Sequence, residues 1–276
     1  MKIAKINLVF FSPTGSTKKT LERLGRTWTE DYEATAKEID VTPRETEQEC
    51  HSFSEKEMVF FGVPSFGGRV PEVAAKRFSN MKGNNTPAVL VVTYGNRAYE
   101  DTLLELRDLV RKNGFIPIAA VAAVTEHSIF REFASGRPDA EDRRQLHEFA
   151  AQIQKALEKI EDICSGVTLS LPGNRPYKEY KGVPLKPSSG KQCNGCKVCI
   201  RECPVGAIAL DNPAKVDNDL CISCMRCVYV CPQHSRTAAG LMYNVAQKKL
   251  KKACTEAKEN EIFLPEQSGG KNGNQN

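Results

Sequence analysis

Long apolar runs are missing from this chain of 276 residues. None approaches the ~18–20 consecutive apolar residues that a membrane-spanning helix needs, so no membrane span is expected. The apolar stretch within Met1–Phe11 is cut short by Ser12-Pro13, too early for a secretory leader, and a cytoplasmic address follows as the expectation. No G-x-G-x-x-G turn follows a strand, so direct use of NAD(P)H has no support. A large excess of one charge is missing too. Lysine plus arginine minus acids is 39 − 34 = +5, and the excess is not gathered into one arm or stripe. The densest basic cluster, Lys248, Lys249, Lys251 and Lys252, has no aromatic stacking platform beside it. It reads as the solvated face of a helix, and no nucleic-acid partner is expected.

Cysteine is what the chain has in excess. There are 11, eight of them between Cys193 and Cys231. A cytosolic chain does not keep such a cluster as disulfides, and dense cysteine in a reducing compartment points to metal. The remaining composition is ordinary: 40% hydrophobic residues supply a normal core, and the length suggests about two domains at ~150 residues each.

Residues 1–164 alternate strand and helix. Short apolar runs at Ala4–Phe11, Tyr32–Val41, Met58–Val63, Ala88–Thr93 and Phe115–Val124 read as strands. Thr17–Trp28, Glu72–Phe78, Tyr99–Lys112 and Ala140–Ile163 read as helices. Pro71 stands at the start of the second helix and Asn113-Gly114 stops the third. Strands buried on both faces imply a parallel sheet with helices on each side, joined by right-handed crossovers. Residues 165–190, punctuated by Pro172, Gly173, Pro176, Gly182, Pro184, Pro187 and Gly190, read as a linker. Residues 191–236 form the cysteine-rich unit. Residues 237–276 would be a C-terminal helix, with Leu241, Val245, Leu250, Ala253 and Ala257 near one stripe, and then a disordered tail over 265–276.

The cysteines form two copies of one pattern. Cys193-x2-Cys196-x2-Cys199-x3-Cys203-Pro204 is followed by Cys221-x2-Cys224-x2-Cys227-x3-Cys231-Pro232, every cysteine at the same offset from its counterpart. Such duplication predicts pseudo-twofold symmetry. Three thiolates spaced three apart on a tight loop suit three irons of one cubane. The small residues Gly195 and Ser223 leave room for backbone N–H groups near sulfide. Two zinc sites are the alternative, but they need neither a third cysteine at x2 nor a crossed fourth followed by proline. The run is that of bacterial two-cluster ferredoxins, in which the fourth cysteine ligates the other cluster. That resemblance covers 191–236. It implies one [4Fe–4S] cluster on Cys193, Cys196, Cys199 and Cys231, and a second on Cys221, Cys224, Cys227 and Cys203. Two cubane cores and eight thiolates sum formally to about −4, so the formal charge of the bare chain, +5, falls to about +1. Cys50, Cys164 and Cys254 read as ordinary packed residues.

Three strand ends carry the other candidate site. After the first strand, Phe11-Ser12-Pro13-Thr14-Gly15-Ser16-Thr17 leads into a helix. Its hydroxyls and N–H groups can cradle a phosphate, or act as a plain helix cap. It is not a Walker loop, because the first glycine is missing and Lys18 follows Thr17 rather than Gly15. The third strand ends in Pro64-Ser65-Phe66-Gly67-Gly68-Arg69 and the fourth in Thr93-Tyr94-Gly95-Asn96-Arg97-Ala98-Tyr99. In a sheet of order 2-1-3-4-5 these ends meet at the switch point where FMN sits. Over residues 3–163 the chain resembles a flavodoxin, and the whole resembles flavodoxin–ferredoxin fusion flavoproteins of anaerobes. The implied architecture is an α/β flavodoxin-like, doubly wound, five-stranded parallel sheet (order 2-1-3-4-5) plus a small α+β dicluster ferredoxin domain.

FMN would be held by Ser12, Thr14, Gly15, Ser16, Thr17, Pro64, Ser65, Phe66, Gly67, Gly68, Thr93, Tyr94, Gly95, Asn96 and Tyr99, with Phe66 and Tyr94 beside the ring. The Ser-Phe-Gly-Gly loop and the basic Arg69 and Arg97 depart from the acidic, Trp-bearing loops of small flavodoxins. His127, Arg131, Arg137 and Asp139 follow the fifth strand. His127 reads as a structural histidine or a proton donor. The expected function is electron transfer between two [4Fe–4S] clusters and FMN, and on to a partner protein or small acceptor. The alternatives are a flavin-dependent reductase, with His127 or Tyr99 as proton donor, and a redox-sensing adaptor.

Overall fold

A computed structural model describes residue 3 and residues 5–32, 35–160, 162–163 and 167–266. The elements run β1 (Lys5–Phe10), α1 (Ser16–Tyr32), β2 (Thr35–Asp40), a 3-10 turn at Arg44–Gln48, β3 (His51–Phe53), β4 (Glu57–Pro64), α2 (Glu72–Phe78), β5 (Met81–Gly83), β6 (Thr86–Tyr94), α3 (Thr102–Lys112) and β7 (Phe115–Val124). They continue with α4 (Ala140–Glu158), β8 (Ser188–Ser189), α5 (Val198–Arg201), α6 (Arg226–Tyr229), β9 (Arg236–Thr237), α7 (Leu241–Cys254) and β10 (Glu261–Phe263).

The main sheet has the order β10-β7-β6-β4-β1-β2. All its pairings are parallel except β10 with β7. Without β10, the strand order is the expected 2-1-3-4-5, the doubly wound flavodoxin-like arrangement. Adjacent residues in each strand point to opposite faces, so each strand feeds two cores. Phe61 packs with Phe78 and Phe115 on one side. Phe60 packs with Trp28, Leu21 and Leu24 on the other. Complete burial on both faces is why the inner strands read as unbroken apolar runs, while the edge strand β2 is mostly exposed.

Helix ends follow the local chemistry. The Ser12 hydroxyl accepts from the Lys18 N–H at 3.0 Å and caps α1. Asp139 and Asp142 form a reciprocal capping box that starts α4. α4 ends at Glu158, earlier than the expected Ile163. Among the described residues, no helix is long and apolar enough to cross a membrane.

The C-terminal part corrects three expectations. The sheet has six strands rather than five. β10 is only three residues long, so it carries no periodicity to read. It is placed by Asn260, whose Oδ1 accepts from the Val124 N–H at 2.8 Å. The stretch at 165–190 is not a free tether. Asp101 accepts from the N–H groups of Asn174 (2.8 Å) and Lys178 (2.6 Å), and Asp108 takes the Tyr177 hydroxyl and Arg175. These bonds strap 174–178 onto α3. Finally, α7 buries a different stripe. Tyr243, Ala246, Leu250 and Cys254 pack on Phe130, Phe133 and Leu185, leaving Leu241 and Val245 exposed. The expected stripe had helical spacing but the wrong phase, because the wall it meets comes from the 125–139 loop. Of the tail expected to be disordered, residues 267–276 lie outside the described residues, as do Ala4 and Cys164; residues 265–266 lie beside the sheet, with the Glu266 N–H donating to the Thr168 carbonyl.

Candidate redox site

The two cysteine runs adopt one backbone conformation twice. Positive φ recurs at Gly195 and Ser223, at Lys197 and Met225, and at Gly206 and His234, matching positions of the two copies. The short helices α5 and α6 also occupy matching positions. Ser223, Lys197, Met225 and His234 carry side chains, and a free loop would not hold such residues in the left-handed region. Here that conformation turns successive N–H groups inward. The Ala207 N–H donates to Cys203 Sγ and the Ser235 N–H to Cys231 Sγ, both at 3.3 Å.

Two cavities lie inside this repeat. Cys193, Cys196, Cys199 and Cys231 line one. Cys203, Cys221, Cys224 and Cys227 line the other. The last cysteine of each run thus stands with the first three of the other. Among the described residues, no three His, Cys, Asp or Glu side chains converge tightly enough to hold a single metal ion. A cubane asks for something else, one thiolate on each of four irons, and the two four-cysteine cavities fit it. Burial pushes the Cys224 thiol well up and the Cys227 thiol to about 11, so either would need a cation beside it to serve as a thiolate ligand. At Cys231 burial also opposes the charge, but N–H groups from Ser235, Gln233 and Arg236 outweigh it and hold that thiol below its ordinary value.

The first cavity opens to solvent through the exposed Cys193 and Cys196. The second faces inward, towards the carboxyl ends of β1, β4 and β6. A third cavity sits at those ends. Thr14, Ser16 and Thr17 line it from the first loop, Pro64–Phe66 from the second and Thr93–Gly95 from the third. Thr125–Ser128 close one side, and Cys224 reaches the same cavity from the cysteine unit. The first N–H groups of α1 have no partner inside their helix, and apart from that of Lys18, which Ser12 takes, they point toward where an anion would bind. Gly15, at φ +79°, makes the turn that exposes them.

Not every expected residue is brought here. The Asn96 amide is turned away and spent on the C-terminal segment. It donates to the Cys254 and Glu256 carbonyls (2.8 and 2.9 Å) and accepts from the Lys258 N–H. The Tyr99 hydroxyl donates to Glu261 on β10 at 3.0 Å, and its ring packs edge-on against Tyr94. Gly67 and Gly68 lie under the 165–190 strap and Glu100. A Cβ on Gly67 would come within 2.2 Å of the Tyr180 ring. Ser12 is buried beneath the loop as the α1 cap. The reason is common to most of these: chain from beyond residue 165 packs over those positions, and local sequence gives no sign of that. Arg69 is held by Glu105, Arg131 by Glu126, Arg137 by Asp142, and Asp139 caps α4.

Sequence reading missed the residues that join the two halves. Arg77, 1% exposed, donates to the Val41 and Thr42 carbonyls (2.6 and 2.9 Å) and to the Pro204 carbonyl of the first cysteine run at 2.7 Å. Arg226 reaches the Pro13 carbonyl at 3.3 Å, and Tyr229 lies against Gly15. Nothing in their local sequence distinguishes them from surface residues.

His127 packs its ring against Gly95, where an added Cβ would lie 2.6 Å away. Its Nδ1 accepts from the Ile129 and Phe130 N–H groups at 3.1 and 3.2 Å, which leaves the ring proton on Nε2. Burial holds its pKa down to about 4, so the imidazole is neutral at pH 7. The unfolded chain binds this proton near pH 6.5 and the folded chain only near pH 4. Stability is therefore lost as pH falls across that window, by about 3 kcal/mol at about 1.36 kcal/mol per pKa unit. His127→Asn, which keeps an acceptor for the two N–H groups, is expected to flatten the loss. Urea midpoints at pH 7 and pH 4.5 check this, and an equal fall in both proteins would count against His127 as the source.

Residues 192–235 match the family model described as "4Fe-4S dicluster domain". A domain of that kind carries two [4Fe–4S] clusters. Over 54 residues the chain is 43% identical to a subunit of an ion-translocating oxidoreductase complex of Methanosarcina acetivorans, which is 19% of this chain and 20% of that protein. The chain thus spans about a fifth of the curated relative it matches. Among solved structures it is similar to a Streptococcus pneumoniae flavodoxin (TM-score 0.39, 14% identity, 55% of this chain and 99% of that one). It is also similar to an archaeal flavodoxin (0.38, 13%, 56% and 99%) and to an azoreductase of Bacillus anthracis (0.39, 13%, 55% and 98%). A dicluster ferredoxin-type segment at 192–235 thus follows a doubly wound, mostly parallel sheet on one chain.

Proposed function

We propose that the chain relays electrons between a redox partner and FMN through two [4Fe–4S] clusters in series. In this reading Cys193, Cys196, Cys199 and Cys231 hold the outer cluster, and Cys203, Cys221, Cys224 and Cys227 hold the inner one. FMN occupies the cavity at the ends of β1, β4 and β6. Thr14, Ser16, Thr17 and the α1 N–H groups bind its phosphate, and Phe66 and Tyr94 stand at the two later strand ends. Cubanes pass single electrons, whereas a bound flavin exchanges one or two. The observation that carries the proposal is Cys224, which belongs to the inner cysteine cavity and also lines the flavin cavity. The exposed Cys193 and Cys196 put the outer cluster where a donor can reach it.

The residues favour a relay over a reductase with its own substrate. Both side chains considered as proton donors are otherwise held, His127 as a neutral imidazole and Tyr99 on Glu261. The curated relative of the cysteine segment is, by its name, part of an oxidoreductase complex, which agrees with this role. The acceptor is a partner protein or a small molecule. The test is anaerobic mixing with a reduced low-potential ferredoxin. Bleaching of the cluster absorbance should be followed by loss of the flavin bands in the same molecule. Bleached clusters beside a flavin that stays oxidised would end the proposal.

A further inference from the structure

At one buried position the two halves of the cysteine repeat differ in charge. Ile208 is 4% exposed and packs with Ile200, Ala207 and the first run's cysteines. Its counterpart in the second copy is Arg236, 2% exposed. Arg236 lines both cysteine cavities. Nη1 donates to the Pro213 carbonyl at 2.6 Å and lies 3.7 Å from Cys199 Sγ, while Nη2 donates to the Pro187 carbonyl at 3.1 Å. Nε is buried with no hydrogen-bond partner. Among the described residues, no carboxylate forms an ion pair with it.

A buried guanidinium with no carboxylate is strongly unfavourable unless another negative charge faces it. Its polar contacts are two carbonyls and Cys199, and it also lines the cavity of the second cysteine set. Resting on the two-cluster reading above, we infer that Arg236 is a cation shared by both clusters, which serve as its counter-charge and whose reduction it favours. Each cubane with four thiolates is formally about −2, and about −3 after taking an electron. A fixed positive charge between them stabilises the more negative state of both, and does so at low local dielectric where screening is weak. It therefore raises both potentials and eases the passage of an electron from one cluster to the next. Arg236 touches the ligands rather than any reacting atom, so its role is to tune and position.

The test is Arg236→Ile, which makes the second half repeat the first, compared with Arg236→Lys, which keeps the charge. Potentials are read by anaerobic redox titration with electron paramagnetic resonance, and iron and sulfide are counted in each protein. In Arg236→Ile both clusters should become about tenfold harder to reduce, a fall of about 59 mV for one electron. Arg236→Lys should stay within about threefold of wild type, about 28 mV by the same conversion. Potentials unmoved in a fully loaded Arg236→Ile, or a shift in one cluster alone, would overturn the inference. If Arg236→Ile loses its iron, retention by Arg236→Lys supports the counter-charge role, and loss from both overturns it. Wild-type protein without iron would defeat the two-cluster reading itself, a separate failure.

Discussion

Removing iron is expected to unfold the cysteine unit and leave the sheet standing. The unit has little else to hold it. Its helices α5 and α6 are four residues each and its strands β8 and β9 two each, lengths that do not persist alone. Its buried cluster is Cys199, Ile200, Cys203, Ala207 and Ile208, and two of these five are proposed ligands. Apolar burial of that size falls short of the ordering entropy of some 45 residues at about 1–2 kcal/mol each, so ligation must supply the difference. Without iron, the cysteines that burial turns back to thiols give up their charge, and Arg236 loses what faces it. Hydrogen exchange after anaerobic chelation should show residues 191–237 approaching the free-chain rate. β1, β4, β6 and β7, which are buried on both faces, should keep their protection. If the amides of 198–208 stay protected without iron, the metal does not hold this unit.

Asp142→Ala is expected to cost about 3–5 kcal/mol at pH 7, the usual penalty for stripping one partner from a buried pair. The Asp142 side chain is 2% exposed and receives the Arg137 guanidinium through both carboxylate oxygens. It also accepts from the Asp139 N–H and from Asn260, each at 2.8 Å. Burial opposes its charge, but these donors prevail and hold its carboxyl below the usual carboxylate range. Its contribution is thus present at neutral pH and lost on acidification through that lowered pKa. One carboxylate joins the start of α4, the 125–139 loop and the segment leading to β10. That loop carries Thr125–Ser128 of the cavity proposed to hold FMN, so on that proposal weaker flavin binding should accompany the loss of stability. Urea unfolding of the variant, beside an Arg137→Met, Asp142→Ala double variant, measures the pair. A double variant no more stable than the single one would show that the stranded arginine is not the main cost.

Much of this was legible in the chain because the relevant physics is local. Unbroken apolar runs between helical stretches specify a sheet covered on both faces, whereas the 2-1-3-4-5 order was implied by the resemblance to flavodoxins. The run of cysteines at two-residue gaps, repeated at a fixed interval, is a local constraint on loop geometry. The hydroxyl-rich turn before α1 is legible for the same reason. Less was legible where one segment packs on another distant in the chain. β10, the strap over α3 and the true stripe of α7 depend on partners that lie far off in sequence. Asn96 and Tyr99 occupy the expected strand end, yet their polar groups are claimed by residues 254–261. Arg236 lies between these cases. Aligning the two halves exposes the arginine opposite Ile208, but only the fold shows that both cavities meet it.

Side-chain spacing and backbone preference act over a few residues, and they suffice to specify which units form and what each can bind. Only the packed chain puts Cys224 in the wall of the cavity at the ends of β1, β4 and β6 while Cys193 and Cys196 face water. That arrangement arises from docking, through Arg77 on Pro204 and Arg226 on Pro13, between surfaces far apart in the chain. Contacts at such separation leave no periodicity in either segment.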